Sequence, residues 1–209
     1  MKIEKIIAIA RGISSNYILK TADALRKGGV HFMEVTYNPS DENASKDTLK
    51  SIEMLKKEFG EAMHIGAGTV LTAEQVKTAR NAGAEYIISP NVEESVIQKT
   101  KELGLISIPG AMTPTEAQNA WKCGADYVKV FPAGNLGADY IRAMLSSMNH
   151  LKLVATGGID EKNMLEFLNS GCVGFGIGGS LVNRKLAEAG NYQEIFERAE
   201  KMVKLLQRG

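Results

Sequence analysis

Histidine, cysteine and tryptophan are scarce in this chain, with three, two and one of them in 209 residues. The scarcity counts against metal chemistry. His31, His64 and His150 are scattered, and neither Cys123 nor Cys172 has a second thiol or an imidazole at ligand spacing, so the sequence carries no zinc signature. The histidines read as structural or surface residues. Each cysteine lies beside a glycine, and the pair reads as free thiols in a reducing cytoplasm, not as a disulfide framework. Long hydrophobic runs are missing too. The first apolar run, Ile6 to Ala10, is too short for a signal peptide or a membrane span. Neither sign of charge dominates, with 25 basic against 24 acidic residues, so no electrostatic footprint for nucleic acid or a membrane surface exists.

What is present is apolar and regularly punctuated. Hydrophobic residues make up 44% of the chain, enough for a sizeable core. Short runs rich in β-branched residues recur at 6–10, 32–36, 64–67, 86–89, 105–108, 127–131, 151–155 and 174–177, which gives eight predicted strands. Amphipathic segments separate them. In 72–82, Val76, Ala79 and Ala82 form a helical stripe, while Thr113-Pro114-Thr115-Glu116 supplies an N-cap with proline at the first helical position. Asp160 is expected to cap the segment after Ile159, and the polar stretch 38–46 to be a long loop within the second βα unit. Strict alternation of strand and helix argues for a parallel sheet with helical crossovers. Eight strands without a linker fit one closed (β/α)8 barrel over residues 1–209, near the lower size limit of that α/β fold. An open flavodoxin-like sheet would leave three strands unexplained.

Active sites of such barrels lie at the C-terminal ends of the strands. Polar and glycine residues gather at those ends here: Arg11, Glu34, Thr36, Gly68-Thr69, Ser89-Pro90-Asn91, Lys129 with Phe131, Thr156-Gly157-Gly158 and Gly178-Gly179-Ser180. Lys129 is embedded in Tyr-Val-Lys-Val-Phe and Glu34 in Phe-Met-Glu-Val-Thr. Desolvation lowers the pKa of a buried amine and frees it as a nucleophile, for which Glu34 is the available general base. A purely structural internal ion pair is the competing reading. The glycine pairs after the seventh and eighth strands allow phosphate to approach backbone N–H groups, with Ser180 offering a hydroxyl; each pair alone is equally a tight turn. Gly174-Phe-Gly-Ile-Gly-Gly179 does not read as a dinucleotide loop, because too little chain follows to complete the βαβ unit.

Together, Asp126-Tyr-Val-Lys-Val-Phe-Pro-Ala133, Met33-Glu-Val-Thr36, Ile65-Gly-Ala-Gly-Thr-Val70, Ile88-Ser-Pro-Asn91, Thr156-Gly-Gly-Ile159 and Gly178-Gly-Ser180 closely resemble the 2-keto-3-deoxy-6-phosphogluconate and 4-hydroxy-2-oxoglutarate aldolase family. The resemblance spans essentially the whole chain. It implies a metal-free class I aldolase on a barrel, usually a homotrimer, acting on a phosphorylated keto acid. It further implies that Lys129 forms the Schiff base and Glu34 shuttles protons. Thr69 would contact the pyruvyl carboxylate, Pro90 and Phe131 would wall the pyruvate pocket, and Thr156, Gly157, Gly158, Gly178, Gly179 and Ser180 would form the phosphate end. One departure stands out. The phosphogluconate type resembles Glu-Val-Thr-Leu-Arg at the second strand, where this chain has Tyr37-Asn38. Arg11 resembles the strand-end arginine of the phosphogalactonate type and is expected to take over the carboxylate. The remaining alternatives are a phosphosugar epimerase or synthase-like barrel, and a phosphometabolite-binding barrel without catalysis.

Overall fold

The computed structural model describes residues 3–208. Its strands are β1 (Ile6–Ala10), β2 (Phe32–Thr36), β3 (His64–Gly68), β4 (Tyr86–Ile88), β5 (Ile106–Ile108), β6 (Gly110–Ala111), β7 (Val128–Val130), β8 (Leu153–Thr156) and β9 (Gly174–Ile177). The helices are α1 (Ser15–Lys27), α2 (Glu42–Phe59), α3 (Ala73–Asn81), α4 (Glu94–Glu102), α5 (Pro114–Lys122), α6 (Ala133–Leu136), α7 (Ala138–Ser147), α8 (Met164–Asn169), α9 (Arg184–Glu188) and α10 (Tyr192–Arg208).

The strands run in the order β5-β4-β3-β2-β1-β9-β8-β7-β6 and every pairing is parallel. The two ends of that order, β5 and β6, are successive pieces of one stave interrupted at Pro109, whose ring nitrogen has no proton to give the ladder. β5 pairs with β4 and β6 with β7, and Lys129 N–H donates to Pro109 O at 2.9 Å between them. Eight staves thus enclose a barrel, as the eight apolar runs predict.

Alternation along each strand sorts the core into two layers. Ile7, Phe32, Tyr86, Ile88, Ile108, Tyr127 and Val154 fill the barrel interior. Their neighbours Ala8, Met33, Val35, Ile65, Ile87, Val128, Val130, Ala155 and Phe175 face the helices. The stripe Val76, Ala79 and Ala82 belongs to the helical side of that outer layer, and Thr113 with Glu116 closes a reciprocal capping box at the start of α5.

Two sequence expectations need correction. The stretch 38–46 is not all loop, because Asp41 accepts hydrogen bonds from the backbone N–H groups of Asn43 and Ala44 and starts α2 at Glu42. Asp160 does not cap a helix. It accepts from the N–H groups of Lys162 and Asn163 in a turn that precedes α8, which begins at Met164.

β3 leaves its inner face almost bare. A Cβ on Gly66 would overlap the Tyr86 ring, and one on Gly68 would overlap the Glu34 carboxylate. Glycine here makes room for two large inward side chains from the flanking staves. Gly66→Ala should therefore destabilise the fold by about 1–3 kcal/mol or more, read as a lower urea midpoint at unchanged slope. An unchanged midpoint would contradict this packing.

Candidate active site

Val128 and Val130 pack outward among the helices, which forces Lys129 between them into the barrel, where it is only 6% exposed. Met33 and Val35 do the same for Glu34, which is 1% exposed. Among the described residues the two form no hydrogen bond, and Glu34 Oε2 is buried without a partner. The tight internal ion pair that competed with catalysis is therefore not formed.

Burial dominates the ionisation of both groups. It pushes the Glu34 carboxyl above its usual range, against the pull of the Lys129 and Arg11 charges. It lowers the Lys129 amine, aided by Arg11 and opposed by Glu34. Each shift enlarges the neutral form, which suits an amine that must attack and a carboxyl that must both give and take a proton. The Lys129 Nζ lies 5.1 Å from the centre of the Phe131 ring, which is 42% exposed at the rim.

Above Lys129 opens a cavity of about 730 Å3. Arg11, Pro90, Lys129, Phe131, Thr156, Gly157, Gly158, Gly178, Gly179 and Ser180 all line it, so the structure brings together the sequence-predicted residues except two. Glu34 lies beneath, against Gly68. Thr69 does not line the cavity and is joined to it through Arg11, whose Nη2 donates to Thr69 Oγ1 at 3.3 Å. Thr69 holds φ at 58°, a left-handed backbone that a β-branched residue rarely adopts and that commonly marks a functional turn. Asn38 lines an adjoining depression instead, with its side-chain oxygen accepting from Ser40. A further concavity of about 700 Å3, lined in part by Phe59, Tyr192 and Phe196, lies on the helical exterior away from the strand ends.

The glycines at the far end differ in what requires them. Gly157 and Gly158 have φ of 86° and 73°, and a Cβ on Gly157 would sit 3.0 Å from the Phe131 ring, so backbone shape demands both. Gly178 and Gly179 have no such need. A Cβ on Gly178 would meet only Ile9 at 3.9 Å, and one on Gly179 would meet nothing within 4 Å. Ser180 departs from expectation, since its hydroxyl donates to Ile159 O at 2.7 Å and is not free for a ligand. Asn183, Arg184 and Lys185, which the motifs did not single out, also line the cavity, and Arg184 Nε pairs with Glu188 at 2.6 Å. Their signal was two basic residues just past the last glycine pair. Among the described residues, no group of three or more His, Cys, Asp or Glu could hold a metal ion.

A parallel barrel with a buried amine and a buried carboxyl under a cavity at its strand ends has the form of an imine-forming enzyme. The model of the aldolase family described as KDPG and KHG aldolase matches residues 1–198. The 2-dehydro-3-deoxy-6-phosphogalactonate aldolase of Escherichia coli is 33% identical over 177 residues, covering 84% of this chain and 83% of that protein. The KHG/KDPG aldolase of the same organism is 34% identical over 184 residues, covering 87% and 83%. The solved KDPG aldolase of Legionella pneumophila, with pyruvate captured as a covalent carbinolamine, superposes with a TM-score of 0.85 at 28% identity over 95% of this chain and 94% of that one. The chain belongs to the KDPG and KHG aldolase family and is a lyase of the class I, Schiff-base kind.

The raised Glu34 pKa has a thermodynamic consequence. Its folded form holds a proton more tightly than the unfolded chain, so its contribution is full below the ordinary value of 4.5 and is lost as pH rises through the folded value. Glu34→Gln, a permanent mimic of the protonated form, should match the wild type near about pH 4 and exceed its stability by about pH 8. Urea denaturation across that range checks it; a wild type that gains on the variant with rising pH would refute the burial.

Proposed function

We propose that the protein cleaves a 2-keto-3-deoxy-6-phospho sugar acid of the phosphogluconate or phosphogalactonate type, or 4-hydroxy-2-oxoglutarate, to pyruvate and an aldehyde. The observation that carries this reading is the burial of Lys129, inward and unpaired, at the floor of the cavity.

In this scheme the Lys129 Nζ lone pair attacks the C2 carbonyl. The carbinolamine loses its oxygen as water after Glu34 supplies a proton, leaving a protonated imine. Glu34, now a carboxylate, takes the proton of the C4 hydroxyl. The C3–C4 electron pair moves into the imine as the enamine forms and the aldehyde departs. The proton then returns to C3, and water releases pyruvate from Lys129. The cationic imine is the electron sink, so the chemistry draws on no metal ion.

Thr69 and Arg11 would hold the pyruvyl carboxylate, with the guanidinium supplying the charge that Asn38 lacks. Pro90 and Phe131 would wall the pyruvate. Thr156, Gly157, Gly158, Gly178, Gly179 and Ser180 would form the phosphate end. The unforced glycines 178 and 179 support a ligand there, because neither packing nor backbone shape accounts for the missing side chains. Ser180 would contribute its backbone N–H in place of its committed hydroxyl. A cytoplasmic homotrimer is the assembly the family resemblance supports. Among the described residues no helix is long and apolar enough to cross a membrane.

Incubation with pyruvate followed by borohydride reduction should add a three-carbon adduct to Lys129, and Lys129→Ala should lower cleavage by about a thousandfold or more. Cleavage should persist after exhaustive chelation. Unmodified protein would favour a non-aldolase phosphate-binding barrel of the epimerase or synthase kind. Comparing turnover of the three substrates identifies the preferred one.

A further inference from the structure

Two polar atoms in the barrel interior, Glu34 Oε2 and Tyr86 Oη, are buried without a hydrogen-bond partner among the described residues. The residues that carry them start from one level of the barrel. Glu34 is in register with Gly66, and Gly66 with Tyr86, on three successive staves. The stave between them contributes no side chain at that level, and the phenol leans into the gap. A Cβ on Gly66 would overlap the ring as far as Cζ, the carbon that bears the hydroxyl. The Glu34 carboxylate lies one step higher, over Gly68. Phe32, its ring centre 5.8 Å from that of Tyr86, packs on the phenol.

A phenol donates and a carboxylate accepts, and each is costly to bury unpaired. No direct bond joins these two, and a single bridging water would satisfy both. We propose that Tyr86 is a positioning residue for the aldolase reaction: through one bridging water its hydroxyl donates to Glu34 Oε2. That anchors the carboxylate over Gly68 and leaves Oε1 to exchange protons with the substrate. The proposal rests on the aldolase reading above.

The charged and titratable groups facing Glu34 are Lys129 from β7, Arg11 beyond β1 and Tyr86 from β4. β3 presents glycine at both adjoining inner positions. The charges acting on Tyr86 are those of Glu34 and of the adjacent Glu85, whose carboxylate is held by Lys56 and His64. Burial and these two carboxylates push the phenol well above its usual ionisation range, so it remains a donor at every pH at which the enzyme works. A donor on Glu34 favours its charged form and limits the upward shift that burial imposes.

Tyr86→Phe keeps the ring and its volume and removes only the oxygen. The expected result is a kcat about tenfold lower with KM little changed. The basic limb of kcat/KM, where Glu34 loses the proton it must supply, should move up by about one pH unit. Pyruvate–borohydride trapping at Lys129 should persist. An unchanged rate and pH profile in a folded, trappable variant overturns the role of Tyr86 and leaves the aldolase reading intact. Failure of trapping in the wild type overturns that reading instead. Should Tyr86→Phe not fold, a high-resolution crystal structure of the wild type decides. A water within hydrogen-bond distance of both oxygens supports the bridge, and none there overturns it.

Discussion

The structure depends on the cost of placing an amine and a carboxyl inside an apolar barrel without joining them. A direct Lys129–Glu34 salt bridge would recover part of the desolvation cost, but it would hold both groups charged. Kept apart, both are pushed toward neutrality by burial, and each charge only partly restrains the other. Chemistry that alternates between amine and imine, and between carboxyl and carboxylate, needs that balance. The apolar floor of Phe32, Tyr127 and Val154 keeps the dielectric low, and the strand alternation that buries Val128 and Val130 holds Lys129 in place.

Glycine placement follows from the same constraint. Gly66 and Gly68 are absent side chains on the inner face of β3 that accommodate Tyr86 and Glu34 from its neighbours. Gly157 and Gly158 shape the turn that carries the cavity wall past Phe131. Gly178 and Gly179 serve neither packing nor backbone shape, which separates them from the positions the fold requires.

Much of this was legible in the residues. Eight short apolar runs gave the staves because strand burial on both faces erases polar alternation and leaves continuous hydrophobic segments. The exceptions to that rule, Lys129 and Glu34, marked the site for the same reason. What escaped sequence reading was tertiary. The break at Pro109 splits one stave in two, and the N-cap at Asp41 carries α2 into a polar stretch that composition alone assigns to a loop. The hydroxyl of Ser180 is consumed by Ile159 O, a partner 21 residues away, and Arg184 and Lys185 reach the cavity only through the fold of the last loop. Tyr86 looked like any aromatic strand residue. Its proximity to Glu34 depends on register across a glycine, and pairing register is not written in either strand alone.

The most direct test is the ionisation of Lys129 itself, followed by NMR of the protein labelled with carbon-13 at lysine Cε. The account predicts one lysine titrating below the usual value of 10.5, absent in Lys129→Ala and lowered further in Glu34→Gln, where the restoring negative charge is gone. If every lysine titrates at its ordinary value, the amine is not buried in a way that frees its lone pair, and the account is wrong at its root.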